Sequence, residues 1–136
     1  MTTTMPQRPL TITEAADMTG LTPHTLRYYE RDGLLLQPVD RATSGHRRYT
    51  DRDLTWIEMI TRLRSTGMPI REVRAYAALV RSGDGNEARR LELLCRHRDR
   101  VRAELAAVQD HLLAIEKKIA VYEADVHEIA AEDRAG

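Results

Sequence analysis

The sequence is poor in the residues from which most chemical sites are built. It holds one cysteine, Cys95, so no disulfide can close within the chain and a reducing cytoplasm is the expected setting. A soft-metal centre made of two or more thiolates of one chain is excluded for the same reason. No apolar run approaches the roughly 20 residues that cross a bilayer, so no membrane partner is expected. The opening MTTTMPQRPL lacks the apolar block of a signal peptide and reads as a disordered tail over residues 1–10. A nucleophile–base pair, a metal cluster and a glycine-rich phosphate loop are all missing, so neither catalysis nor a cofactor is expected.

Net charge is missing too, with 21 basic residues against 21 acidic ones. That balance conceals an asymmetry. Residues 1–83 carry twelve arginines against nine acids, and residues 84–136 carry nine basic residues against twelve acids. The front of the chain suits a polyanionic partner, and the back should be repelled by one.

Helix signals come in quick succession. Thr11 with Glu14 three residues on fits a capping box, Thr13 is an equally good cap, and Gly20 supplies the stop. Thr22 then caps a second helix with Pro23 in its first turn, ending near Asp32 and Gly33. Two short helices around a glycine turn predict a helix-turn-helix. In LLLQPVDRATSGHRRY, residues 34–49, an apolar run, a proline and a Ser-Gly turn predict a small hairpin or wing. Thr50 opens a third helix with Leu54, Ile57, Ile60 or Thr61, and Leu63 at helical spacing, and Gly67 ends it. A fourth buries Ile70, Val73, Tyr76 and Leu79 or Val80, and stops at Gly83.

The last third follows another rule. Leu91, Leu94, Arg98, Val101, Leu105, Val108, Leu112, Ile115, Ile119 and Tyr122 alternate in steps of three and four, continuing to Val126 and Ile129. That period is a coiled-coil signature with one basic interruption, Arg98, which either sets register or snorkels to water. A helix of about 38 residues would be about 57 Å long, whereas a domain of about 80 residues is only about 30 Å across. Leaving half a dozen of its apolar side chains in water would cost on the order of 10 kcal/mol. A second copy is the simplest cover, so a homodimer is expected through the apolar members of this series. Three histidines of the segment, His97, His111 and His127, read as solvated helix-face residues rather than metal ligands. The expected organisation is a tail over 1–10, a DNA-binding domain over 11–82, a coiled-coil helix over 86–124 and a short C-terminal segment over 125–136.

Within TPHTLRYYERDGLL the second helix separates its faces. Leu26 and Tyr29 point to a core, while His24, Arg27, Tyr28 and Arg31 form a stripe of charged donors, a hydroxyl and flat rings. Such a stripe suits phosphates and base edges. A plain coiled-coil scaffold would leave both the stripe and the His-Arg-Arg-Tyr wing unexplained. An architectural DNA-binding protein without an inducer remains an alternative to a regulator.

TITEAADMTGLTPHTLRYYERDGLL, followed by SGHRRYTDRDLTWIEMITRLRSTGMPIREV, resembles the MerR family of bacterial transcription regulators over roughly residues 11–82. The resemblance implies a mainly α fold, with a winged helix-turn-helix DNA-binding domain followed by a long dimerisation helix that forms an antiparallel coiled coil. It implies binding to double-stranded promoter DNA as a homodimer, and an indirect effect on RNA polymerase through bending and untwisting of the promoter spacer. By position, His24, Arg27 and Tyr28 would lie in the major groove. Arg47, Arg48 and Tyr49 of the wing and Arg64 of the third helix would meet phosphates, with Thr13 as a further backbone donor. The resemblance further implies a short, single-cysteine member without a separate effector domain. Cys95, in the basic neighbourhood of Arg96, His97 and Arg98, has two readings: a partly buried filler, or a thiol that senses an electrophile, aldehyde or oxidant.

Overall fold

The computed structural model describes residues 8–36 and 39–135. The expected tail at residues 1–7 and the Gln37-Pro38 step of the expected wing lie outside them.

Local chemistry sets each of the first four helices. Helix α1, Ile12–Thr19, starts from a capping box in which the Thr11 hydroxyl accepts from Glu14 N–H and the Glu14 carboxylate accepts from Thr11 N–H. It closes at Gly20, whose φ of 74° is open to glycine at little cost. The capping choice left open between Thr11 and Thr13 thus falls to Thr11. Helix α2, Pro23–Arg31, starts from Thr22 with Pro23 in its first turn. Strands β1, Asp40–Arg41, and β2, Arg47–Arg48, pair antiparallel with Arg41 opposite Arg47. Helix α3, Asp51–Ser65, opens on a second capping box, Thr50 with Asp53. Helix α4 spans Ile70–Arg81, and helix α5 runs unbroken over Glu87–Ala135.

The chain divides into two compact units, residues 1–97 and 98–136. In the first, α1 packs on α2 and α3, and α3 packs on α4. Leu26, Leu34, Leu54, Ile57, Ile60, Met68 and Val73 are fully buried, each worth roughly 1.5–3 kcal/mol of transfer free energy. Trp56 Nε1–H donates to the Leu34 carbonyl at 2.7 Å and its ring stacks on Tyr76, which joins α3, α4 and the chain after α2. Arg74 of α4 pairs with Asp32 at 2.7 Å, and Arg81 donates to the carbonyls of Gly33 and Leu35. The end of α2 is therefore held from α4.

Several expectations are corrected. Leu10 does not belong to a loose tail: it is buried and bridges Tyr49, its N–H donating to the Tyr49 carbonyl at 2.7 Å and its carbonyl accepting from Tyr49 N–H at 2.8 Å. The DNA-binding unit does not end at 82, because the root of α5 packs into it. There Leu94 lies half-buried against the core of the first unit. His97, expected on a solvated face, is buried with Nε2 2.7 Å from the Thr66 hydroxyl. The same hydroxyl also lies within hydrogen-bond distance of the Arg62 carbonyl at 3.0 Å and the Leu63 carbonyl at 3.2 Å. Of the two readings of Arg98, the one that turns it to water agrees with its place: it is exposed and pairs with Asp99. Finally, residues 125–135 are no separate segment: they continue α5, because the apolar period runs on through Val126 and Ile129 with no breaker before Ala135.

In the second unit, α5 exposes Leu105, Val108, Leu112, Ile115, Ile119, Tyr122, Val126 and Ile129 along its length. No helix among the described residues is long and apolar enough to cross a membrane.

Candidate nucleic-acid interface

Helix α2 separates its faces as its period requires. Leu26 and Tyr29 are buried, and His24, Arg27 and Arg31 are exposed. Tyr28 is intermediate. It packs partly on the core, with its ring centroid 6.2 Å from that of Tyr29, and its hydroxyl lies against the Asp32–Arg74 pair. The Arg74 guanidinium, with a smaller share from Tyr28, holds the Asp32 carboxyl below the usual carboxylate range.

The wing is fastened to this helix by Glu30. Its carboxylate accepts from Arg47 Nε at 2.6 Å and from Val39 N–H at 2.9 Å, and it lies 4.0 Å from Arg41. Burial pushes the Glu30 carboxyl up, but the Arg47 bond, the Val39 N–H and both guanidinium charges together hold it below its ordinary value. The tip of the hairpin closes through Ala42 N–H to the His46 carbonyl at 2.8 Å, with Gly45 at a φ of 85°. Arg41 donates to the Gly45 carbonyl at 3.0 Å, and Arg48 donates to the Arg47 carbonyl at 3.1 Å.

Between α1, α2 and the wing lies an open cleft of about 340 Å³ lined by Thr11, Ile12, Thr13, Arg27, Arg41, Gly45, His46, Arg47 and Arg48. Its chemistry is that of an anion site. The first-turn N–H groups of a helix have no carbonyl behind them and carry the positive end of the dipole, and here four arginines stand around them. A phosphate is the natural occupant of such a place.

The cleft brings together four of the residues singled out in the sequence, Thr13, Arg27, Arg47 and Arg48. His24 and Arg31 stand on α2 outside it, and Arg64, also outside, donates to the Met68 carbonyl at 2.7 Å and closes the turn between α3 and α4. The expectation that the Tyr49 side chain meets a phosphate is corrected, because the residue has no exposed surface and its hydroxyl is a buried atom without a hydrogen-bond partner. Arg47 is likewise turned inward onto Glu30. Strand alternation accounts for both: residues 47 and 49 share one face of the strand and residue 48 takes the other. Arg41, His46 and the clamp by Glu30 were missed by the sequence reading. The cross-strand register that places Arg41 opposite Arg47 was the signal that could have found the first.

This geometry has close counterparts among known proteins. A family model for MerR HTH regulatory proteins matches residues 10–79, and one described as MerR, DNA binding matches residues 54–117. The chain belongs to the MerR family. An HTH-type transcriptional regulator of Haemophilus influenzae is 34% identical over 113 residues, which are 83% of each chain. A MerR-family regulator structure from Listeria monocytogenes superposes with a TM-score of 0.82 at 35% identity, covering 92% of each chain. HiNmlR, a MerR family regulator lacking the sensor domain and solved bound to promoter DNA, gives a TM-score of 0.76 at 33% identity, covering 85% of this chain and 90% of that one.

The mainly helical MerR fold expected from the sequence is therefore present, as a helix-turn-helix domain with a long C-terminal helix. Transcription regulation through DNA is the business of this MerR chain's relatives, none of which is named as an enzyme among those compared. Cys95 lies half-buried on the root of α5. Among the described residues no group of three or more His, Cys, Asp or Glu is placed to hold a metal ion.

Proposed function

We propose that the protein binds a two-fold-symmetric promoter operator as a homodimer and controls transcription by distorting the promoter spacer. The cleft between α1, α2 and the wing carries this reading, since it gathers Arg27, Arg41, Arg48 and the positive end of α1 around an open space with room for a phosphate. His24, Arg27 and the outer part of Tyr28 would enter the major groove, with Arg31 and Arg64 at flanking phosphates. The dimer would form on the apolar stripe of α5 from Val101 to Tyr122, extended by Val126 and Ile129, as an antiparallel coiled coil. Two recognition helices held a fixed distance apart on one duplex face give a direct way to bend it. Smooth bending of a site costs on the order of 1–6 kcal/mol, which phosphate contacts of two subunits can offset.

The signal belongs to the finer part of this reading: a thiol-reactive small molecule acting at Cys95. The supporting observation is its place, between Leu94 on the core and the buried His97, where an adduct would disturb the seating of α5. In vitro transcription from a promoter that the protein protects, with and without an electrophile, tests both parts. Response in the wild type and none in Cys95→Ser supports the thiol, and equal response in both removes it. A short palindromic footprint supports the regulator, whereas extended cooperative coverage favours the architectural alternative.

A further inference from the structure

The two strands of the wing set Arg41 directly opposite Arg47. Like charges at directly opposed positions destabilise a two-stranded ribbon, and this ribbon is only two residues deep on each side. Its stability therefore needs an anion close to both guanidinium groups. Glu30 is that anion, but it serves them unequally. It takes Arg47 in a 2.6 Å bond and stands 4.0 Å from Arg41, and the side chains are 24% and 48% exposed respectively. Glu30 itself is 14% exposed and also holds Val39 N–H, so its position is fixed by the wing backbone as well as by charge.

We propose that Glu30 is the positioning residue of the wing, that Arg47 is its internal brace, and that Arg41 is the arginine the wing delivers to a DNA phosphate. The inference rests on the DNA-binding reading above and moves to Arg41 the phosphate contact that the sequence suggested for Arg47. Arg47 has its Nε committed to a carboxylate, so a phosphate would have to displace a partly buried ion pair to take it. Arg41 has one hand on the Gly45 carbonyl and a long approach to Glu30, so a phosphate in the cleft meets it without breaking the clamp. Glu30 holds the ribbon together while leaving one of its two cations available.

The test uses the whole chain and a duplex that the wild-type protein recovers from a random-sequence library. Affinity is measured over a range of salt, since each phosphate contact contributes about one unit to the slope of log K against log salt. Arg41→Gln is expected to weaken binding about ten-fold at fixed low salt and to lower the slope by about one, with the melting temperature unchanged. Arg47→Gln should lower the melting temperature, and its slope should fall too, because the unpaired Glu30 then draws in Arg41. In the double variant Glu30→Gln with Arg47→Gln the pull is gone, and with the opposed cations no longer paired the ribbon needs no anion. The amide oxygen at position 30 can still accept from Val39 N–H, so the slope should return to the wild-type value. An unchanged slope in Arg41→Gln overturns the proposal, as does a double variant that folds and keeps the lowered slope, which would make Arg47 itself a phosphate ligand. Arg41 is exposed, so its single variant decides the matter should the double variant fail to fold. If the wild type recovers no sequence at all, the DNA-binding reading fails instead.

Discussion

Tyr49 brings a hydroxyl into the core of the DNA-binding unit where nothing meets it. A buried polar group without a partner costs about 1–3 kcal/mol, so Tyr49→Phe is expected to leave the melting temperature unchanged or raise it, with DNA affinity unaltered. Loss of affinity without loss of stability would show that the hydroxyl reaches DNA after all. Glu30 is the opposite case, a carboxylate surrounded by donors. Its folded value lies below the ordinary one, so the clamp contributes its stability above the usual carboxylate range, about 4, and loses it as pH falls through the lowered value. An NMR titration of the Glu30 carboxyl should therefore show a midpoint below that of an unperturbed glutamate, and a midpoint at or above it would contradict the clamp. The inward turn of Leu26 and Tyr29 was legible because helical period alone decides it. The inward turn of Arg47 and Tyr49 was not read, because charge and hydroxyl suggested an exposed pair, whereas the register of a two-residue strand ruled.

At the scale of elements, the helices with side-chain caps were the most legible. Thr11, Thr22 and Thr50 all accept the expected backbone N–H, and Gly20 and Gly33 take the left-handed conformation expected of stops. Thr50→Ala should cost about 1 kcal/mol, equivalent to about 4–8 °C for a domain of this size. A thermal melt with no change would mean that the reciprocal Asp53 bond does not hold the start of α3. What local signals could not show is how an element ends when tertiary packing decides. The root of α5 reads as coil because Leu94 keeps the heptad spacing, yet it joins the core of the first unit through Leu94 and His97. The distant Thr66 hydroxyl meets the buried His97, a partner that no local signal announces. Leu10 escaped notice for the same reason, its partner being Tyr49.

For the whole molecule, the apolar stripe of α5 is the feature that calls for a partner, since its large side chains are exposed along its length. Leu112→Asp together with Ile115→Asp places two charges in that stripe, and should convert a dimer to a monomer in sedimentation at micromolar protein while each DNA-binding unit keeps its melting transition. A dimer that survives both changes would move the interface elsewhere. Fold and family were legible at this scale because helix caps, wing and heptads follow one another in a fixed order. The division of labour inside the cleft was not, because it arises from three segments far apart in sequence: α1, α2 and the hairpin.

The central claim is that two copies of this cleft read one duplex through Arg27 and the groups around it. Hydroxyl-radical footprinting on a promoter duplex selected by the wild type tests it most directly. Two protected half-sites related by a two-fold axis, with affinity at fixed salt at least about ten-fold weaker in Arg27→Ala, are the predicted result. The same protection in Arg27→Ala, or one continuous protected tract without symmetry, would contradict it.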